Sequence, residues 1–463
     1  MRFHVACICP CLPPVTVRDA LEGPRARRED RRSRFIPLLT RASASNANTT
    51  DSITLVGMGS VGMDFLASVA SFPKPDDKMR TEELQMQGGG NCGNALTAAA
   101  RLLSGLSSSF TSTVRVVSKI GTDAAGDAIM KEFAADGIDT SNVLVTSDKS
   151  PFTYIIVDRE TSTRTCIHTP GDPYLEEEMT PARIDGILDG ASAVYFDGRL
   201  AEPALLLARA ARAKGIRVLV EAERLRPGLD KLLAEADYVV TSTGFPREWT
   251  GIDDVEDAMA AILTSLPYCA WVITTLGKRG SLLLEGFSGD ERSFDETSAF
   301  DQMGGTTTSR DTAATSTSIS VDSISSGASS SRPFFPRERN EQKDIMRKAR
   351  EEAAARAALM NADEGKGSSY DHDSDQHIGT RVMTSFRLTT IDAASIEQSD
   401  VVDTTGAGDA FIGTMLFSVA MGLPPAKGAT LASVVAAAKC RKLGARPGLV
   451  RLEEINGIDA FLL

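Results

Sequence analysis

Two acids and two glycines crowd into one short stretch near the end of the chain, Asp403-Thr404-Thr405-Gly406-Ala407-Gly408-Asp409. Val401 and Val402 precede it, and a helical pattern over 410–421 follows. Gly406 and Gly408 let successive backbone N–H groups converge on one point, and a helix N-terminus adds its unpaired amides and its dipole. Such a point favours an anion. Asp409 is then oddly placed as decoration, because a carboxylate here adjoins a pocket for negative charge. The arrangement fits a base that takes a proton from a hydroxyl while the amides hold a developing phosphoryl charge. The alternative is a glycine turn capped by Asp403 or Asp409 with no chemistry. The coincidence of two acids, two glycines and a following helix weighs against it.

Far upstream, Gly88-Gly89-Gly90-Asn91-Cys92-Gly93-Asn94 opens a second helical stretch over 95–103. The glycines allow a ligand to approach the backbone, and Asn91 and Asn94 offer paired donors and acceptors to hydroxyls. Helix capping by Asn91 is the plainer alternative. Arg199, just past a strand over 194–197, is placed to neutralise a phosphate or simply to lie exposed. Glu221 and Glu223, at the end of a strand over 217–221, offer carboxylates that could hold a hydrated metal. No G-x-x-x-x-G-K-[ST] occurs, so phosphates would be held without a Walker lysine. The glycines at 57, 59 and 62 match a dinucleotide fingerprint only loosely. The turn Phe72-Pro73-Lys74-Pro75-Asp76-Asp77 follows where a second strand and its acid should stand.

The stretches 403–411 and 88–95 resemble the two signatures of the ribokinase-like (PfkB) carbohydrate kinases, in the family's order. The resemblance covers about residues 52–291 and 382–455. It implies an α/β three-layer sandwich with a mainly parallel sheet and a small β-lid. It makes Asp409 the catalytic base and the Gly406, Ala407 and Gly408 amides the anion hole. Asp64 matches the acid at the end of the first strand that holds sugar hydroxyls, together with Gly89, Gly90, Asn91 and Asn94. Thr275, Gly277 and Gly280 match the segment lining the nucleotide, with Asp403, Thr405 and Cys440 on its other side. The implied cofactors are ATP and Mg²⁺, with K⁺ as a further candidate. The implied partners are a small sugar and a second copy of the chain paired through the lid. Two departures stand out. Asn91 replaces the lysine of ribokinase itself, a pattern closer to the ketohexokinase branch. Thr241-Ser242-Thr243-Gly244 stands where many members carry N-x-x-E, which puts metal handling by that route in doubt.

The elements that must carry these residues read as a β/α series. A buried strand over 53–57, a strand over 114–119 and a helix over 124–136 come first. Alternation over 152–157 and 164–168 around a turn makes a hairpin, the lid, at about 150–170. Strand and helix then alternate to 241, and strands over 270–275 and 281–285 follow. Such a series implies ligands at the carboxyl ends of parallel strands.

Two segments stand apart from this domain, which is expected over 49–463. Residues 1–48 hold nine arginines, four acids and no lysine, a charge of +5 against −12 for the whole chain. Such a leader reads as a transit peptide, for a plastid or other organelle, or as a disordered tail on a cytoplasmic protein. Residues 292–381 are Ser/Thr/Gly-rich and then highly charged, a composition that cannot repay ordering entropy. A disordered insertion is expected there. The acidic net charge argues against nucleic acid as partner, and no apolar run is long enough to span a membrane. Seven cysteines, three of them in the leader as Cys7, Cys9 and Cys11, form no disulfide framework.

Overall fold

The computed structural model describes residues 52–106, 110–161, 163–287, 319–320, 330–334 and 385–458. The expected leader and most of the expected insertion lie outside the described residues. The chain opens with β1 (Ser52–Met58), β2 (Gly62–Val69), β3 (Glu83–Gly89), α1 (Asn91–Ser104), β4 (Thr111–Gly121), α2 (Ala124–Ala135) and β5 (Ile138–Thr146). Next come β6 (Phe152–Asp158), β7 (Thr163–Thr169), α3 (Pro181–Leu188), β8 (Ala191–Phe196), α4 (Ala201–Ala213), β9 (Arg217–Ala222), α5 (Leu229–Leu233) and β10 (Tyr238–Thr241). Then follow α6 (Phe245–Thr250), α7 (Val255–Ser265), β11 (Trp271–Thr275), β12 (Ser281–Phe287), β13 (Ile319–Ser320), β14 (Ser330–Phe334) and β15 (Ser385–Ile391). The last elements are α8 (Ala407–Ala420), α9 (Pro425–Lys439) and β16 (Ile455–Asn456).

The main sheet runs β14-β15-β12-β11-β10-β9-β8-β1-β4-β5. From β5 to β11 every pairing is parallel, and β12, β15 and β14 add antiparallel strands at one edge. Parallel strands bury both faces, so their sequences are nearly continuous apolar runs such as Ile53 to Met58 and Val218 to Val220. Two apolar clusters form, one on each face. One gathers α1, α2, α8 and α9, and the other gathers α4, α5 and α7. This is the expected three-layer sandwich.

Two small residues set the spacing that matters for chemistry. A Cβ at Gly413 would collide with the Ala95 carbonyl, so α8 and α1 approach along their backbones. That approach brings the start of α8, with Asp409, beside the start of α1, with Asn94.

A second sheet, β3-β2-β6-β7, stands over the carboxyl ends of the main one. The sequence reading found only its β6–β7 half. β2 and β3 were hidden because glycines punctuate one end of each and the turn at 72–77 separates them. Cross-strand pairing puts Phe65, Met86, Tyr154 and Ile167 in one row on the outer face. Asp64, Gln87, Thr153 and His168 share a row on the inner face. The expectation of a structureless insertion also needs correction over two short stretches. β14 pairs antiparallel with β15, and β13 pairs with β16. An edge strand leaves a row of unpaired backbone groups, and β14 satisfies those of β15.

Candidate active site

The turn at 403–409 is built from beneath. Gly406 caps α8 with φ 79°, a left-handed conformation, and a Cβ there would sit 2.6 Å from that of Ala445. A Cβ at Gly408 would meet nothing within 4 Å, so the space beside that amide is open. Asp403 Oδ1 accepts from the Thr405 amide at 2.9 Å and hydroxyl at 2.7 Å, and Oδ2 accepts from the Gly444 amide at 2.8 Å. The fully buried Lys439 ammonium donates to the Asp403 carbonyl at 2.7 Å. Amides of Val402 and Asp403 both donate to the Cys440 carbonyl. Asp403, Thr405 and Cys440 were expected to contact nucleotide. The Asp403 carboxylate, the Thr405 hydroxyl and the Cys440 carbonyl instead hold the turn in shape, because a tight positive-φ turn leaves amides that the protein must satisfy itself, while the Cys440 thiol donates to the Ala436 carbonyl.

At the front of the turn, Asp409 Oδ2 accepts from the Asn94 side-chain amide at 2.8 Å. Three more acids face the same space. Asp197 is held by the Ser60 amide and hydroxyl, both at 2.7 Å. Glu221 accepts from Tyr195 at 2.6 Å and from Asn91 at 3.1 Å. Glu223 pairs with Arg199 at 3.0 Å, and with Arg224 and Arg226 farther out. Arg199 also donates to Asn91 Oδ1 at 3.2 Å. Burial raises the Asp409 carboxyl above its ordinary range, against the Asn94 hydrogen bond, and Glu223 adds to the rise. Burial raises Glu221 too, with the Asp409 charge second. The site thus favours holding a proton on this cluster, as a base that accepts one must.

Asp64 faces this cluster from the lid. It stands third in β2, on the inner face, and not at the end of β1 where the sequence reading put it. Gly89 lies against its carboxyl, and a side chain there would displace it. Burial pushes Asp64 up to about 7, opposed by Arg446 and aided by Asp409 and Glu132. Gln87, directly across β2–β3 from Asp64, is 6% exposed, and neither polar atom of its amide has a partner among the described residues. His168 meets the Thr153 hydroxyl at 3.2 Å on the exposed side of the same row, as a strand-surface histidine. Arg164 on β7 donates to the Thr404 hydroxyl at 2.9 Å, so the second sheet touches the turn at 403–409 directly. Gln87, Thr153, Arg164 and Arg446 were missed from sequence. Only the strand alternation around Arg164 and Thr153 hinted at them.

The pattern of the family described as "pfkB family carbohydrate kinase" matches residues 53–304 and 379–451, well over half of the chain. The chain belongs to the PfkB carbohydrate kinases. It is an ATP-dependent phosphotransferase with an alcohol acceptor. This kinase is 25% identical to the ribokinase of Haemophilus influenzae over 270 residues, 54% of this chain and 83% of that one. It is 26% identical to the ribokinase of Staphylococcus aureus over 234 residues, 49% of this chain and 74% of that one. Among solved structures it resembles Arabidopsis thaliana ribokinase complexed with ribose and ATP, at TM-score 0.55 and 16% identity, covering 89% of this chain and 99% of that one. A Methanocaldococcus jannaschii nucleoside kinase shares the fold at TM-score 0.54 and 12% identity, with 89% and 99% covered.

In this kinase the expected nucleotide segment follows β11. The Thr275 hydroxyl donates to the Thr241 carbonyl at 3.2 Å, and Gly277 is exposed at φ 59°. Gly280 has a different task. A Cβ on it would collide with the Ile391 carbonyl, so it lets the β11–β12 turn close against the end of β15. The proposed metal carboxylates do not make a metal shell. Glu221 spends its oxygens on Tyr195 and Asn91, and Glu223 spends its own on three arginines. Among the described residues no group of three or more His, Cys, Asp or Glu is placed to hold an ion. Arg199 is likewise bound to Asn91 and Glu223. Mg²⁺ that keeps its waters and binds substrate phosphates needs little from the protein, and these residues would not supply more.

Proposed function

We propose that the acceptor is a free sugar, a ketose or ribose, bound between the inner face of the lid and the acid cluster. The observation that carries this reading is the meeting of Asp409, held by Asn94 beside the open Gly408 amide, with Asp64 on the lid opposite. An ionised Asp64 accepts two vicinal hydroxyls, and Gln87 supplies a donor and an acceptor that now lack partners. Asp409 takes the proton of the attacking hydroxyl. The amides of the 406–408 turn hold the transferred phosphoryl group, and Arg164 brings the lid onto that turn. Positioning and charge stabilisation carry most of phosphoryl transfer. ATP is the donor, and Mg²⁺ would neutralise its phosphates. K⁺ dependence is read by exchanging potassium for choline.

The sequence pattern at Asn91 favours a ketohexokinase-like acceptor, and the relatives favour ribose. ATP turnover measured with fructose, ribose, adenosine and inositol decides between them. Turnover with adenosine alone would make this a nucleoside kinase. ATP binding with no turnover on any of them would make it a silent binding protein on the same fold.

Three further proposals follow from the same site and sequence. Met86 is 67% exposed, Tyr154 50% and Ile167 53%, in one row on the outer face of the lid, a surface suited to a second copy of the chain. Tyr154→Glu should then turn a dimer into a monomer in light scattering; a wild-type monomer would refute it. The acidic net charge supports no nucleic-acid partner. The arginine-rich leader supports organelle import, which a fluorescent fusion tests.

A further inference from the structure

The stretch Gly444-Ala445-Arg446-Pro447-Gly448 follows α9, and neither the anion hole nor the sugar contacts need its arginine. Yet Arg446 is 3% exposed, and its guanidinium lies under the acceptor site. Nε donates to Asn94 Oδ1 at 3.1 Å, Nη1 to Glu132 Oε2 at 3.0 Å and Nη2 to the Gly89 carbonyl at 3.3 Å. The plane stacks over the Phe133 ring, 4.7 Å from its centroid. Glu132 in turn accepts from the Gly88 amide at 2.9 Å. On the outside, Arg101 of α1 donates to the Arg446 carbonyl at 2.8 Å and pins the loop.

The glycine-rich motif is shaped around this side chain. A Cβ at Gly88 would collide with Nη1, and one at Gly93 would come within 2.6 Å of Nη2. A Cβ at Gly89 would strike Asp64 instead. Two of the motif's glycines therefore make room for a buried arginine from more than 350 residues away, and a third makes room for the acceptor carboxylate.

The amide of Asn94 has two orientations of nearly equal shape. One turns NH₂ toward Asp409, and the other turns its carbonyl oxygen onto that carboxylate. A guanidinium donates only, so it binds the Asn94 oxygen and excludes the second orientation. It also holds the carbonyl of Gly89, the residue that lies against the Asp64 carboxyl.

We propose that Arg446 is a positioning residue for both acids of the acceptor site, fixing the Asn94 amide toward Asp409 and setting a buried positive charge beside Asp64. This rests on the roles given above to Asp64 and Asp409. The groups facing Asp64 are Arg446 from the loop after α9, Asp409 from α8, Glu132 from α2 and Thr153 from β6. Those facing Asp409 are Asn94 from α1, Arg199 and Asp197 from the loop after β8, Glu221 and Glu223 from the end of β9 and Asp64 from β2. Arg446 lowers the cost of charging Asp64, whereas Glu132 raises it. The two therefore act with opposite sign.

The test is the pH profile of kcat/KM for the acceptor in three enzymes. Arg446→Met should move the acid limb upward by about one pH unit, so the loss is roughly fivefold greater at pH 6 than at pH 8. KM for ATP should stay within about twofold. Glu132→Gln should move the limb downward. A folded Arg446→Met enzyme with its limb unmoved overturns the proposal, and so do limbs that move the same way in both variants. If Arg446→Met does not fold, Glu132→Gln decides alone. Its side chain is 35% exposed and its loss leaves the guanidinium in place. A downward shift supports the proposal, and an unchanged or upward limb overturns it. Failure of the underlying reading looks different, since wild type would then show no acid limb assignable to Asp64, or no sugar turnover.

Discussion

Asp409→Asn separates chemistry from stability. The substitution keeps the shape of the side chain and an oxygen to accept from Asn94, so the 2.8 Å contact can persist. What it removes is the basic lone pair and one negative charge. Loss of a general base costs about 10²–10⁴ in kcat, which is roughly 2.7–5.5 kcal/mol of barrier. Stability should move the other way. Burial, with Glu223 and Asp197 nearby, raises the carboxyl from 3.8 to about 6. Charging it therefore opposes folding by at most about 3 kcal/mol, reduced by the water that reaches a partly exposed group. A rise in Tm of about 2–4 °C is expected, read by calorimetry or scanning fluorimetry at pH 8. Turnover is read by coupling ADP release to NADH oxidation with saturating ATP. The base assignment is refuted if the variant keeps more than about a tenth of wild-type kcat, far short of the expected loss. A Tm that drops by several degrees would make Asp409 a structural residue.

Three further outcomes follow. With Asp64 raised to about 7, kcat/KM for the acceptor should climb through neutral pH in the wild type, and Asp64→Asn should lower it while flattening that climb. The sign for stability is the reverse: a raised carboxyl stabilises the fold below its unfolded value, and this is lost as pH rises through about 7, so Asp64→Asn should gain Tm over wild type at pH 8 and not at pH 4. Gly406→Ala should lose roughly 1–3 kcal/mol from its positive φ and the Ala445 contact, whereas Gly408→Ala, which meets open space, should keep its Tm and lose about 10²-fold in kcat; equal losses of Tm in both would refute the open anion site. Arg164→Gln should leave Tm unchanged and lower kcat by about tenfold or more through a lid that no longer meets Thr404; an unchanged kcat would mean the contact is idle.

The main sheet and the anion-hole turn were legible because their causes are local. A parallel strand buried on both faces must be apolar throughout, so β1, β8, β9, β10 and β11 stand out as runs. Gly406, Gly408 and Asp409 lie within one turn of helix, and backbone rules alone bring them together. The lid was half legible. β6 and β7 alternate as a hairpin, but β2 pairs in parallel with β6 across more than eighty residues, and no local pattern announces such a pairing.

The sequence by itself determined the family, and it singled out Asp409 and the glycine turn before it as the candidate base and anion hole, since each is carried by residues within a few positions of one another. Only the tertiary structure decided which polar atoms are free. Asp403, Thr405 and Cys440 look like ligands in one dimension, and in the fold they brace the turn: Asp403 takes bonds from Gly444 and Lys439, Thr405 donates to Asp403, and the Cys440 carbonyl accepts from Val402 and Asp403. Glu221 and Glu223 look like metal ligands and are occupied by Tyr195, Asn91 and three arginines. Arg446 looks like a loop residue, and its meeting with Asn94, 352 positions away, gives it a place in the site. Composition and spacing state what a side chain offers. Burial and partner geometry decide where that offer is spent, because a buried polar group must be satisfied by whatever the fold brings within reach.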